Sequence, residues 1–286
     1  MREELGLQRL ALSLLHRGYN DTYQLGRGKH RLALRINRQL GSRQALAAEV
    51  AWMEALGEDT RVTACMDLPT VKAWGHTGSR GWLLASWLPG VQRGASLSPR
   101  MLYAVGRATA ALHLSALGWS PPGWARPTLD QAWGGRPCPP LSPEHAALFH
   151  RCTERLQPIL ETLCEQPRPL HADLHQGNYR FRAGLRLGVL DFDDCAWGHP
   201  AQDLAITLYY LRAHPRFAAL RDAHKAGYES LTEWPTDPDL MASLHLWRGL
   251  TLLAAVSQHS APQLRARIPG LLPKWTRMAK AWLSDK

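Results

Sequence analysis

No uninterrupted apolar run in this chain reaches the roughly 18 residues that a membrane-spanning helix requires. The opening stretch, Met1-Arg-Glu-Glu-Leu-Gly-Leu, carries acids and lacks a long apolar block, so it does not read as a secretory signal. Cysteines are few and unpatterned. Cys65, Cys138, Cys152, Cys164 and Cys195 are odd in number, widely spaced and without C-x-x-C, which argues against a disulfide framework or a metal–thiolate site. Reduced thiols in a cytoplasmic protein is the economical reading. No repeat and no low-complexity tail is visible. The net charge is +10, yet no run of five or six basic residues and no nucleic-acid module accompanies it. The excess therefore reads as solvated basic surface rather than a nucleic-acid site. Acids are missing from one long stretch: residues 240–284 hold no Asp or Glu, while Arg248, Arg265, Arg267, Lys274, Arg277 and Lys280 are spread among Trp247, Trp275 and Trp282. That pattern reads as a basic outer face over a tryptophan-filled core. What remains is a 286-residue chain, 45% apolar, able to bury one large core or two lobes.

The chemistry concentrates in His171-Ala-Asp-Leu-His-Gln-Gly-Asn178 and Asp191-Phe-Asp-Asp194. Phosphoryl transfer from ATP needs a carboxylate to orient the acceptor hydroxyl, and an amide and a carboxylate to hold magnesium on the phosphates. Asp173, Asn178 and Asp191 supply that set in the chain order kinases use, with Asp193 as a second-sphere or second-metal group. Strands at 179–182 and 185–190 around Ala183-Gly184 form a hairpin that brings Asp191 back beside Asn178.

These residues resemble the signature of the aminoglycoside phosphotransferase and choline kinase group, the small-molecule relatives of protein kinases. The family pattern H-G-D-x-x-x-x-N, D-F/W-D/E, G-x-P-x-x-D-L-A is matched by His171-Ala-Asp173, Asn178, Asp191-Phe-Asp193 and Gly198-His-Pro200-Ala-Gln-Asp203-Leu-Ala205. Ala172 is the one departure, standing where the family carries glycine. The D-F-D-D ending is similar to the bacterial stress-response and spore-coat kinases of the group. The resemblance implies a two-lobed protein-kinase-like α+β fold. Residues 1–89 would form a nucleotide-binding lobe with an antiparallel sheet and one helix, and 90–286 a larger, mainly helical catalytic and substrate lobe.

Roles follow by position. Gly18-Tyr-Asn-Asp21 is a turn signal, and with Asn20 it stands where the family covers the ATP phosphates. The alternating run 31–36 reads as the kinase strand that carries the phosphate-binding basic residue, here Arg35. A helix from Ser42 to Gly57 with Leu46, Val50, Met53 and Leu56 on one stripe places Glu49 as the partner of Arg35. Strands at 68–74 and 82–88 lead to the inter-lobe hinge, where the backbone of Ala85 to Trp87 would pair with adenine. His175, two residues past Asp173, either gives a hydrogen bond near the γ-phosphate or structures the loop. Asp203 braces the catalytic loop, and His113 has a structural hydrogen bond.

Elsewhere the apolar spacing of Leu7, Leu10 and Leu14 predicts a helix starting in 7–16, and Ser98-Pro99 and Ser142-Pro143 open helices to about 115 and 164. Residues 118–141, rich in Pro, Gly and Trp, read as a long ordered loop or an insertion beside the acceptor pocket. Helical patterns fill 201–213, 216–232, 239–259 and 262–283. The expected function is transfer of the γ-phosphoryl of Mg-ATP (cofactors ATP and Mg²⁺) to a hydroxyl of a small molecule other than an aminoglycoside. The alternatives are a stress-response-type Ser/Thr protein kinase, a non-catalytic pseudokinase and a basic-surface binding protein.

Overall fold

The computed structural model describes residues 10–37, 42–121, 123–259 and 262–284. In chain order the elements are β1 (Leu12–Arg17), β2 (Asn20–Leu25), β3 (Leu32–Asn37), α1 (Arg43–Glu58), α2 (Thr60–Cys65), β4 (Met66–Asp67), β5 (Val71–Thr77), β6 (Arg80–Ser86) and α3 (Pro99–Ser115). Then come α4 (Pro143–Leu163), β7 (Arg168–Leu170), β8 (Tyr179–Phe181), β9 (Leu187–Val189), β10 (Ala196–Gly198), α5 (Pro200–Leu211), α6 (Phe217–Glu229), α7 (Pro238–Ser257), α8 (Pro262–Arg265) and α9 (Ile268–Ser284). They group into two compact units. One is built from the chain up to Arg126, Gln176–Cys195 and Ala219–Thr232; the other from Pro127–His175, Ala196–Ala218 and the chain from Glu233 on.

The first unit holds an antiparallel sheet in the order β1-β2-β3-β6-β5. Alternation along its strands buries Leu25, Leu34, Trp82 and Leu84 together on one face. The helical spacing read from Leu10 and Leu14 is overruled, because Leu12–Arg17 pairs with β2 in the register Leu12↔Leu25 and Arg17↔Asp21. A sheet edge offering partners outweighs a short apolar periodicity; Leu7 lies outside the described residues. Helix α1 starts where Ser42 predicts, its hydroxyl accepting the N–H groups of Gln44 and Ala45. It buries the expected stripe and adds Trp52. Gly106 of α3 and Gly227 of α6 let two helix backbones touch: a Cβ on Gly106 would lie 2.0 Å from the His224 carbonyl oxygen, and one on Gly227 2.0 Å from that of Tyr103. Beside this crossing His113 Nδ1 lies 3.0 Å from the Tyr228 hydroxyl, the structural hydrogen bond expected of it.

His224 is fully buried at the same crossing, and burial, reinforced by His113, pushes its imidazole down to about 3. The unfolded chain therefore takes up a proton near pH 6.5 that the folded chain refuses, so stability present above pH 6.5 is lost as pH falls toward 3. At pH 5 this one group should remove about 2 kcal/mol relative to pH 7. Urea titration of the parent and of His224→Gln across pH 7 to 5 checks it: the variant should show the flatter profile.

The second unit packs α4, α5, α7 and α9 around Phe149, Leu156, Leu160, Leu250, Trp247, Trp275 and Trp282. The indoles satisfy their N–H groups inside: Trp275 donates to the Tyr209 hydroxyl at 2.9 Å and Trp282 to Ser243 Oγ at 3.0 Å. Helix α7 is long and apolar enough by composition to cross a membrane, with a mean hydropathy of 1.3, but half of that window is buried against its own unit. The helix expected over 262–283 is two, α8 and α9, separated by a turn at 266–267, with Pro269 in the first turn of α9, where a missing N–H forgoes no helical hydrogen bond.

Candidate active site

In the first unit, Arg35 extends from β3, flanked by Thr22 of β2 and Leu83 of β6. Its guanidinium grips Glu49 of α1 through two bonds, Nη1 to Oε1 at 2.7 Å and Nη2 to Oε2 at 2.5 Å. The pair expected from the sequence is thus formed, with Arg35 11% and Glu49 2% exposed at the side chain. Burial alone would lower the Arg35 pKa, but Glu49, Asp193 and Asp191 hold it well above its ordinary value, so the side chain is a permanent cation. Nη1 also lies 3.5 Å from Asp191 Oδ1.

The predicted hairpin is real. Tyr179 faces Val189 in the β8–β9 register, and the Leu190 N–H donates to the Asn178 carbonyl at 3.0 Å, so Asp191 follows directly beside Asn178. Asp191 has φ +66°, which turns the chain sharply after β9. Its carboxyl is raised well above the usual carboxylate range, first by the protein packed around it and then by the charges of Asp193 and Asp194, although 44% of the side chain stays exposed. Asn20, at the start of β2, donates its amide to Asp193 Oδ2, which ties the predicted phosphate-covering turn to the acidic cluster. Ala85 sits within β6, opposite Ala33 and Val71, while Trp87 lies past the strand with the Arg31 guanidinium 4.7 Å from its ring centroid.

Two supporting residues escaped the sequence reading. Arg126 donates to the backbone oxygens of Cys195 and Asp193, and to Ala45 at 3.2 Å, and so fixes the loop after Asp191. Phe192 is buried edge-on against Trp52, which also meets Trp119 and Trp124, and Trp124 donates to the Ala48 carbonyl at 2.7 Å. The segment 118–141 is therefore divided. Its first part braces α1 and the Asp191–Cys195 loop, and Trp133 packs edge-on against Phe149 in the second unit's core. Cys195 is buried, and burial pushes its thiol far above the ordinary range, so it is an inert core group.

In the second unit, β7 pairs with β10 and delivers the loop of Asp173. Asp203, on the first turn of α5, accepts the N–H groups of His171 at 3.0 Å and Ala172 at 2.7 Å, the bracing role expected of it. One turn on, Thr207 donates to the Leu174 carbonyl at 2.6 Å. Ala172 adopts φ +62°, a conformation that costs an L-residue about 1–2 kcal/mol and glycine almost nothing. Ala172→Gly should stabilise the protein by about 1 kcal/mol, less what glycine adds to the unfolded chain's entropy. A rise in Tm with activity retained checks it; a fall would mean that the methyl group packs usefully.

Both oxygens of Asp173 are engaged. Oδ2 lies 3.2 Å from His175 Nε2, and Oδ1 lies 2.5 Å from Arg248 Nη2, which also donates to the Tyr210 hydroxyl at 3.0 Å. The His175 ring rests on Tyr210, with centroids 4.7 Å apart. Burial pushes the Asp173 carboxyl up, but the bond from His175 and the Arg248 charge outweigh it and hold the group below its ordinary value. Arg248 corrects the reading of residues 240–284 as a basic outer face: its side chain is 13% exposed and turned onto Asp173. A lone arginine in the otherwise apolar run of α7 was the available signal, since such a charge needs a partner.

Among the described residues no three His, Cys, Asp or Glu side chains converge to cage a metal ion. Asn178, Asp191 and Asp193 nevertheless offer hard oxygens in a local excess of negative charge. That donor set fits magnesium, which keeps waters and phosphate oxygens in its shell rather than an all-protein cage.

An uncharacterized protein of Deinococcus radiodurans is 31% identical over 220 residues, which cover 71% of this chain and 63% of that protein, so the chain spans under two thirds of that relative's length. Among solved structures, a microcompartment-associated aminopropanol kinase superposes with a TM-score of 0.78 at 22% identity, covering 99% of this chain and 97% of the other. An amicoumacin kinase, solved with AMP-PNP, Ca²⁺ and Ami, gives 0.71 at 17% identity over 93% and 88%. A thermostable mutant of an aminoglycoside phosphotransferase gives 0.67 at 16% over 99% and 97%. The model of the phosphotransferase enzyme family matches residues 12–244, and the chain belongs to that family, with its kinase-like α+β fold.

Proposed function

We propose that the protein transfers the γ-phosphoryl group of Mg-ATP to a hydroxyl of a small molecule other than an aminoglycoside, in the cytoplasm. The observation that carries this is the bidentate Arg35–Glu49 pair reaching Asp191, with Asn178 beside Asp191 across the hairpin. An arginine held by a buried glutamate presents a fixed cation to phosphate oxygens. Residues 1–89 form the nucleotide-binding lobe in this reading and 90–286 the catalytic and substrate lobe. The turn at Asn20 covers the phosphates, and the stretch from Ala85 to Trp87 receives adenine.

Asn178 and Asp191, with Asp193, would hold a magnesium ion, which would supply positive charge against the phosphate oxygens. Asp173 accepts the hydrogen bond of the acceptor hydroxyl. The hydroxyl oxygen forms a bond to γ-phosphorus as the bond to the bridging oxygen breaks. ADP leaves with that electron pair, and the proton passes to Asp173. His175 positions the carboxylate through its 3.2 Å contact.

Screening ATP-dependent phosphorylation of a panel of hydroxyl metabolites, aminoglycosides and generic protein substrates tests this reading. Preferred turnover of a small alcohol supports it. Turnover of a protein serine alone favours the protein-kinase alternative, and no turnover with any acceptor sinks it. A narrower check concerns the ion pair. Arg35→Ala should raise KM for ATP and lower turnover, and Glu49→Ala should do the same more mildly. Because the two side chains act as one unit, the double variant should lose about 1–3 kcal/mol less than the sum of the singles. Additive losses would show that they act separately.

A further inference from the structure

We propose that the phosphorylated acceptor carries an anionic group, a carboxylate or a phosphate, near its reacting hydroxyl, and that Arg248 receives that group. The proposal rests on Asp173 being the group that orients the hydroxyl. Any hydroxyl hydrogen-bonded to Asp173 sits about 2.7 Å from the carboxylate, and the Arg248 guanidinium is 2.5 Å from the same carboxylate. A substituent one or two carbons from the hydroxyl therefore meets Arg248.

The surroundings are positive and short of acid. Tyr210, next along α5, holds Arg248 by its hydroxyl and lies 5.5 Å from the guanidinium at its ring centroid. The neighbouring Tyr209 carries two more cations, the Arg212 guanidinium 4.1 Å and the Lys274 ammonium 5.6 Å from its ring centroid. Neither Arg212 nor Lys274 has a carboxylate within salt-bridge distance among the described residues, and 240–284 holds no acid to supply one. His245, one turn before Arg248 on α7, packs against Tyr209 at 6.3 Å. It stays neutral, pushed down to about 3 by burial and by Arg212, so it offers no negative charge either. An ammonium substituent brought to this place would face like charge, which is a penalty in selectivity.

An anion does more than avoid that penalty. Arg248 now holds Asp173 Oδ1, the oxygen nearest the cation. A carboxylate or phosphate can take the guanidinium in a two-point contact, and by competing for it releases Oδ1 to the acceptor hydroxyl. A neutral alcohol supplies nothing to draw Arg248 away. Arg248 is thus a specificity residue that couples recognition of the acceptor's charge to the freedom of Asp173.

The test uses the full chain and probes that share a three-carbon backbone: glycerate, glycerol 3-phosphate, glycerol and 1-amino-2-propanol. Calorimetric binding without nucleotide is measured first, then ATP-dependent transfer. Glycerate or glycerol 3-phosphate should bind at least about tenfold tighter than glycerol or the amino alcohol, the value of one charged hydrogen-bonded contact. Arg248→Gln should remove that advantage and Arg248→Lys restore part of it. Equal or tighter binding of the amino alcohol, or anion binding unchanged in Arg248→Gln, would overturn the proposal; if that variant fails to fold, the charge series on the parent protein decides. Anions that bind through Arg248 while no acceptor of any charge is phosphorylated would remove the kinase reading and leave Arg248 only an anion site, with no acceptor role. Transfer blind to acceptor charge would leave the kinase reading standing and overturn this inference.

Discussion

Asp173→Asn should bind ATP as the parent does and lose about three orders of magnitude in phosphoryl transfer, the middle of the range for removing a proton acceptor. The asparagine keeps the shape of the side chain but cannot take the hydroxyl proton. The structure adds a complication that the sequence hides. Asp173 is the anionic partner of Arg248, whose side chain is only 13% exposed, and of His175. Losing the carboxylate leaves a partly buried guanidinium facing a neutral amide oxygen in place of an anion, so the variant should also lose about 1–3 kcal/mol of stability. The two effects separate cleanly. Nucleotide affinity and chemical denaturation measure the folded site, and single-turnover transfer measures the chemistry. A variant as stable as the parent would mean that the Arg248 contact contributes little. Near-normal transfer would remove Asp173 from the mechanism.

That complication shows where sequence reasoning stopped. Motif residues were legible because each answers a local demand: Asn178 and Asp191 close a hairpin, Asp203 opens a helix aimed at the loop before Asp173, and Glu49 lies at helical spacing on α1. Helix starts were legible through Ser42, Ser98 and Ser142, whose hydroxyls cap them as expected. Contacts made across long sequence separation by ordinary-looking residues were not. Arg126 reaches the Asp193 and Cys195 carbonyls from a proline-rich stretch with no motif, and Arg248 reaches Asp173 from 75 residues away. The first strand was misread because Leu10 and Leu14 suit a helix as well as an edge strand, and only pairing with β2 decides. The cost of alanine at 172 was also invisible, since composition says nothing of φ.

Asp191→Ala should weaken Mg-ATP binding by about 10–100-fold and raise the magnesium concentration needed for turnover, because a divalent ion loses an anionic oxygen and the phosphates meet less positive charge. It should do so without harming the free protein. The Asp191 carboxyl is raised first by burial and then by the charges of Asp193 and Asp194, so its charge is a burden on the folded state that a bound cation would relieve. Its contact with Arg35 at 3.5 Å is the weaker of that arginine's two, and Glu49 remains to hold the guanidinium. The φ of +66° strains both residues, alanine somewhat more than aspartate, and that difference offsets part of the relief. The expected result is a Tm near the parent's without magnesium and a much smaller rise when Mg-ATP is added. A thermal-shift titration of Mg-ATP on both proteins measures this directly. The same magnesium-dependent rise in parent and variant would take Asp191 out of the metal site and leave Asn178 and Asp193 to account for it.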